Sequence, residues 1–151
     1  MEERQTLEIR DARPGDLAEW MPLWEGYLTF YKVTIAPEIT MATWARILDP
    51  MNPLTSRVVT VGGRLVGFAN HHTHLTTWDV RPVAYLEDLF VSPDARGLGV
   101  GRALIDDLVE LGKSADWASI YWITADDNRT AQTLYDSYNK RDPFIRYSIT
   151  L

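Results

Sequence analysis

The chain has 151 residues, 15 lysines and arginines against 21 aspartates and glutamates, and a formal charge of −6. This length fits one domain, 1–151, burying about two-thirds of its unfolded surface, and the acidic balance disfavours nucleic acid, whose binders carry a basic face. With no cysteine, disulfides, thiolate zinc sites and a cysteine acyl-enzyme are excluded.

In chain order, the charged start Met1-Glu2-Glu3-Arg4 and the lack of any apolar run near about twenty residues give no signal peptide or membrane span, so the cytoplasm is expected. Leu7–Arg10 alternates and predicts a short strand. Pro14-Gly15-Asp16 opens a helix carrying Leu17, Trp20, Met21, Leu23, Trp24, Tyr27 and Leu28. Pro37 opens another through Leu48, stopped by Asp49-Pro50. Arg57–Val61 and Leu65–His74 flank Gly62-Gly63, a hairpin signal. Val83–Val91 is the next strand, and Val100, Leu104, Ile105, Leu108, Val109 and Leu111 recur at helical spacing after it. Ser119–Thr124 reads as a buried strand, Asp126-Asp127-Asn128 caps a helix through Asn139, and Phe144–Ile149 reads as a final strand. The order β-α-α-β-β-β-α-β-α-β predicts a mixed α/β sheet.

Between strand and helix lies Arg96-Gly97-Leu98-Gly99-Val100-Gly101-Arg102. Its glycines let backbone approach a ligand, and the first N–H groups of the following helix have no internal partner. With the positive end of the helix dipole, this predicts a phosphate or pyrophosphate socket. It is not a P-loop, because Gly101-Arg102-Ala103 offers no lysine and no magnesium-binding hydroxyl. Nor does G-x-G-x-G match the dinucleotide pattern G-x-G-x-x-G. On the last helix Asn128, Ala131 and Tyr135 share a face.

These two elements together resemble the GCN5-related N-acetyltransferase family. Val91-Ser92-Pro93-Asp94-Ala95-Arg96-Gly97-Leu98-Gly99 matches its Val-x-Pro strand end and Arg/Gln-x-x-Gly-x-Gly/Ala signature, and Asn128, Ala131, Leu134 and Tyr135 match its Asn-x-x-Ala-x-x-Leu-Tyr pattern. Tyr85–Val91 is similar to the polyamine and diamine acetyltransferase branch and to related amino-acid or histone acetyltransferases. One departure is Asp136-Ser137 where the family commonly has Gly-Phe, which puts the wall after the helix in doubt.

The resemblance implies an α/β fold with a mixed, mostly antiparallel sheet of six to seven strands, splayed at the centre and flanked by about four helices. It implies acetyl-CoA as co-substrate, its pantetheine arm lying in the splay beside a bulge near Leu89-Phe90-Val91. Arg96, Gly97, Leu98, Gly99, Val100 and Gly101 would take the pyrophosphate, with Asn128 and Ala131 along the arm. Arg102 fits either a point of added positive charge or a surface role. Glu87 is the carboxylate expected to face the acceptor amine. Strict alternation separates it from Asp88, but a bulge breaks that parity, and Asp88 reads as structural or as a second acceptor-side acid. Tyr135, with a reference pKa about 10, is the expected acid for the departing thiolate. Phe30 and Tyr31, at the exit of the aromatic first helix, resemble the segment that overlies the acceptor channel.

His72 and His74 share a strand face while His71 points away; without a nearby carboxylate or thiol they make a poor zinc site, so no metal is expected. The reading favoured is acetyl transfer to a small primary amine such as a polyamine, diamine or amino acid. Acetylation of a protein lysine or N-terminus, and acetyl-CoA sensing without turnover, are the alternatives. A homodimer is expected, with the aromatic C-terminal strand as a candidate edge.

Overall fold

Asp16 starts the first helix by gathering three hydrogen bonds on one carboxylate. The Arg10 guanidinium donates two, at 2.8 and 2.9 Å, and the Arg13 N–H a third at 2.7 Å. The Arg10 pairing holds this carboxyl below the usual range despite its burial. The structure, a computed structural model, describes residues 5–151; the charged Met1–Arg4 start lies outside them.

After β1 (Leu7–Asp11), helix α1 (Leu17–Phe30) buries Trp20, Leu23 and Trp24 on one stripe. Helix α2 (Pro37–Leu48) buries Thr40 and Trp44 against it. The Trp24 indole donates to Thr40 Oγ1 at 3.1 Å, joining the two helices through a satisfied polar contact. Strands β2 (Thr55–Val61) and β3 (Arg64–His74) form the hairpin around Gly62 and Gly63, both at positive φ. Then come β4 (Val83–Val91), α3 (Val100–Ala115), β5 (Ser119–Tyr121) and α4 (Arg129–Asp136).

The sheet order is β1-β2-β3-β4-β5, antiparallel from β1 to β4 and parallel between β4 and β5. One face packs α3 through Val59, Val66, Ala69, Leu86, Leu104 and Leu108. The other packs α1 and α2 through Trp20, Trp24, Trp44, Val58, Phe68 and Phe90. Arg57 ties β2 to α3 with two bonds to Asp107, at 2.8 and 2.9 Å. No helix among the described residues is long and apolar enough to cross a membrane.

Among the described residues the mixed sheet and four α-helices match expectation, but the sheet has five strands rather than six to seven. Strand Ser119–Thr124 shrinks to Ser119–Tyr121, because its pairing stops at Tyr85↔Tyr121, just before β4 is diverted by a bulge. Phe144–Ile149 is not a strand: residues 139–151 have no regular secondary structure, and Phe144, Ile145, Tyr147 and Ile149 are 74–88% exposed. Alternating sequence alone does not make a strand without a partner for its backbone groups, and β5 offers only three residues of edge. Helix α4 ends at Asp136 rather than Asn139, its last turn tightened by i→i−3 bonds from Ser137 to Leu134 and Tyr138 to Tyr135.

Candidate active site

Strand β4 carries an extra residue at Glu87. Asn70 pairs with Asp88 and His71 with Leu86, so two residues of β4 oppose one step of β3. The bulge therefore sits at Glu87 and not near Leu89-Phe90-Val91 as expected. Its effect on parity is direct. Leu86, Leu89 and Val91 pack on the α3 face, while Phe90 joins the α1 cluster and Asp88 meets Tyr27 of α1. Glu87 Oε2 lies 3.6 Å from His72 Nε2, a ring that packs edge-on to Tyr85. Both carboxylates thus open on the α1 side of the sheet, which strict alternation would have forbidden. Past Tyr85, β4 runs on to Val91 with no strand among the described residues beside it on the β5 side. The two strands splay, and Leu89, Phe90 and Val91 line a free backbone edge.

That edge leads into the glycine turn. Gly97 and Gly99 hold φ of +79° and +76°, a region that costs L-residues about 1–2 kcal/mol. A Cβ built on either meets nothing within 4 Å, so the space above the turn is open. Leu98 projects at the tip, 63% exposed. The first α3 bond runs from Ala103 N–H to Gly99 C=O, leaving Val100, Gly101 and Arg102 N–H groups without a helical partner. No side chain caps this terminus. Free donors, open space and a helix N-terminus converge at one end of the splay, an arrangement suited to an anion.

The expected cations behave differently. Arg96 folds back beneath the turn: its guanidinium donates to Val91 C=O at 3.2 Å and lies 5.7 Å from the Phe90 ring. Arg102 reaches α4, donating to Ser137 Oγ at 3.1 Å and covering the Tyr138 ring at 5.4 Å. Arg102 thus braces two helices at the rim of the turn.

Across the splay, α4 presents Asn128, Ala131 and Tyr135. Asn128 is the helix cap, accepting from Ala131 N–H at 3.4 Å while its amide donates to Thr124 Oγ1 at 3.3 Å. Tyr135 packs edge-on to Trp122 at 5.4 Å. Burial, with the neighbouring Tyr31 phenol, pushes its pKa up to about 12, so the hydroxyl keeps its proton at neutral pH.

On the α1 side, Tyr27 and Tyr31 pack with tilted rings one helical turn apart, 4.9 Å between centroids, with Tyr27 toward the Asp88 carboxylate. Phe30 points elsewhere, into an open groove between α1 and the end of β4 with Pro22, Gly26, Phe90 and Arg96. Asn70 Nδ2 donates to Asp88 Oδ2 at 3.0 Å. Burial raises the Asp88 pKa, with Glu87 adding repulsion, against hydrogen bonds from Tyr27 and Asn70. Burial also pushes the Tyr27 phenol up, and the Asp88 charge adds to it. Sequence reasoning missed Tyr27 and Asn70 as neighbours of the carboxylates. Tyr27 had a signal, one turn before Tyr31 on the same helix face; Asn70, set in an apolar run, had only its polarity. His74 bonds the Tyr121 hydroxyl at 2.8 Å, and buried His71 lies against Trp117 with its pKa lowered to about 4, chiefly by burial. Among the described residues no three His, Asp or Glu side chains cluster as a metal site would require.

Comparison with known proteins converges on one family. Residues 17–139 match the sequence profile of the acetyltransferase (GNAT) family. The chain is 36% identical over 131 residues to the D-amino-acid N-acetyltransferase HPA3 of Saccharomyces cerevisiae, covering 85% of this chain and 81% of that one. It is 25% identical over 143 residues to the thialysine N-epsilon-acetyltransferase of Bos taurus, covering 89% and 84%. The fold is similar to that of AAC(6')-Iy solved with the bisubstrate analogue CoA-S-monomethyl-acetylneamine, with TM-score 0.76, 22% identity, and coverage of 95% and 99%. Profile, relatives and the strand-splay-turn geometry agree: the chain belongs to the GNAT family and is an N-acetyltransferase.

Proposed function

We propose that the protein transfers acetyl from acetyl-CoA directly to the primary amine of a small molecule, a polyamine, diamine or amino acid. The observation that carries this reading is the bulge at Glu87, which turns two carboxylates toward the α1 side just past the point where β4 loses its β5 partner, on the stretch that runs into the glycine turn. The residues fit the co-substrate. The free edge at Leu89–Val91 offers main-chain groups to pantetheine amides, and the turn Gly97–Gly101 with the α3 N-terminus offers N–H groups to the diphosphate. Asn128 and Ala131 border the same gap from α4.

The acceptor amine must be neutral to attack, and a lysine-like ammonium has a pKa about 10.4. Asp88, with Tyr27 and Asn70 behind it, receives the ammonium; Glu87 takes its proton, with His72 beside it. As nitrogen bonds the acetyl carbon and the carbon–sulfur bond breaks, Tyr135 gives its proton to the departing thiolate, and the second proton lost from nitrogen restores the phenol. The raised phenol pKa means that Tyr135 is protonated when the thiolate departs. Tyr31, between Tyr27 and Tyr135, walls the acceptor from solvent. Relatives named for D-amino acids and thialysine favour a small amine over a protein acceptor.

The exposed alternation Ile145, Tyr147, Ile149 and Leu151 supports a homodimer, in which a second copy covers this segment. Sedimentation should find a dimer that Tyr147→Arg shifts toward monomer; a monomeric parent protein overturns it. For the reaction, labelled acetyl-CoA incubated with a panel of polyamines, diamines, D- and L-amino acids and basic peptides should label small amines, read by mass spectrometry. Labelling of peptides alone would move the acceptor to protein, and tight CoA binding with nothing labelled would make the protein a sensor.

A further inference from the structure

Asn70 is an amide buried in the middle of an apolar stretch of β3, only 1% exposed. Its Nδ2 donates to Asp88, but its Oδ1 finds no donor among the described residues. Ser56, directly opposite on β2 and fully buried, has an Oγ in the same condition. A buried carbonyl without a donor is costly, and an apolar side chain would avoid that cost. The core therefore gives no reason for an amide here. The carboxylate it faces does.

Its place in the ladder is equally specific. Asn70↔Asp88 is the matched pair at the step where register shifts to His71↔Leu86 and leaves Glu87 extra. A side-chain hydrogen bond across that rung fixes where the extra residue falls. A slip of one residue would exchange the faces of Glu87 and its neighbours.

We infer that Asn70 is a positioning residue for the acceptor site: its amide N–H fixes the Asp88 carboxylate turned toward the amine, and pins the bulge that sets Glu87 beside it. This rests on the proposed reading of that face as the amine-binding side. The groups facing Asp88 are Tyr27 from α1, Asn70 and His72 from β3, and Glu87 on its own strand. Burial and Glu87 favour the protonated acid; Tyr27 and Asn70 favour the anion. Tyr27 is held protonated by its own burial and by Asp88, so it stays a donor. Removing Asn70 takes away one of the two restraining donors, and a hydrogen bond to a charged group corresponds to roughly one pH unit.

The test is a carbon-13 NMR titration of aspartate-labelled protein, with the Asp88 carboxyl assigned by its loss in Asp88→Asn. Asn70→Leu should move its midpoint up by about one pH unit. Asn70→Asp, which keeps the volume and replaces the donor by a second acid, should move it the same way. In acetylation assays Asn70→Leu should raise the amine KM by at most about tenfold, more at acidic than at alkaline pH, with kcat changing less. In an Asp88→Asn background the same substitution should lose its pH-dependent effect. An unmoved Asp88 midpoint in folded Asn70→Leu and Asn70→Asp overturns the inference, whatever the assays give. A moved midpoint with no amine acetylated would uphold the Asn70–Asp88 coupling and defeat the acceptor reading instead.

Discussion

The glycine turn at Arg96–Gly101 and the bulge at Glu87 stand at the two ends of the free β4 edge, and they are built in opposite ways. The turn is local. Gly97 and Gly99 adopt positive φ and α3 starts at once, so every feature comes from residues within a few positions. The bulge is not. It exists because β3 and β4 fall out of step between Asn70 and His71, with Tyr27 of a distant helix meeting the same carboxylate. On the proposed function, a local anion socket next to a tertiary-determined carboxylate pair would let donor and acceptor sites vary separately.

Substitutions can separate these regions. The largest effect belongs to Gly99→Val, which forces a β-branched residue to φ near +76° and fills the open space above the turn. CoA affinity by calorimetry should fall at least ~100-fold through lost charge-assisted hydrogen bonds, while the acceptor KM extrapolated to saturating acetyl-CoA stays within about twofold. A comparable loss in both would join the two regions. Tyr135→Phe comes next. Its kcat should drop about 10²-fold with acetyl-CoA affinity nearly unchanged; full turnover would remove the phenol from the reaction.

How much could be read in advance follows the same division. The turn, α3, the Gly62-Gly63 hairpin and the Asn128 cap were legible because each rests on short-range chemistry. The location of the bulge was not, since period-2 alternation says nothing about which rung a partner strand skips. Phe144–Ile149 alternates as a strand does, yet lies exposed, because pattern gives a segment a face and only a neighbouring edge gives it a ladder. Asn70 was invisible for a related reason: its meaning lies entirely in Asp88 across the ladder.

Asp88→Asn gives a smaller effect, read as stability. In the folded protein the Asp88 pKa is raised, so the folded state binds the proton more tightly than the unfolded chain. Stability contributed at this position is therefore lost as pH rises from the ordinary carboxylate range through the folded value. Asp88→Asn should raise Tm at pH 7, by about 2–4 °C for each kcal/mol recovered, and the gain should shrink at acidic pH. A gain that persists unchanged at pH 3 would contradict the burial of a charge there. Smallest of all is Gly101→Ala. Its new Cβ would sit 3.5 Å from Leu134 Cδ2, an ordinary contact inside a helix. Stability should rise by up to about 1 kcal/mol, with CoA affinity within about threefold. A large loss of affinity would extend the close-approach requirement from the turn into α3.

Amide hydrogen exchange with and without CoA tests the whole arrangement at once. Protection should rise together at Glu87–Val91 and Gly97–Arg102, the unpaired strand edge and the helix start, while β1 and β2 stay unchanged. Protection confined to other segments, or none at saturating CoA, would contradict a single donor site running along β4 into the turn.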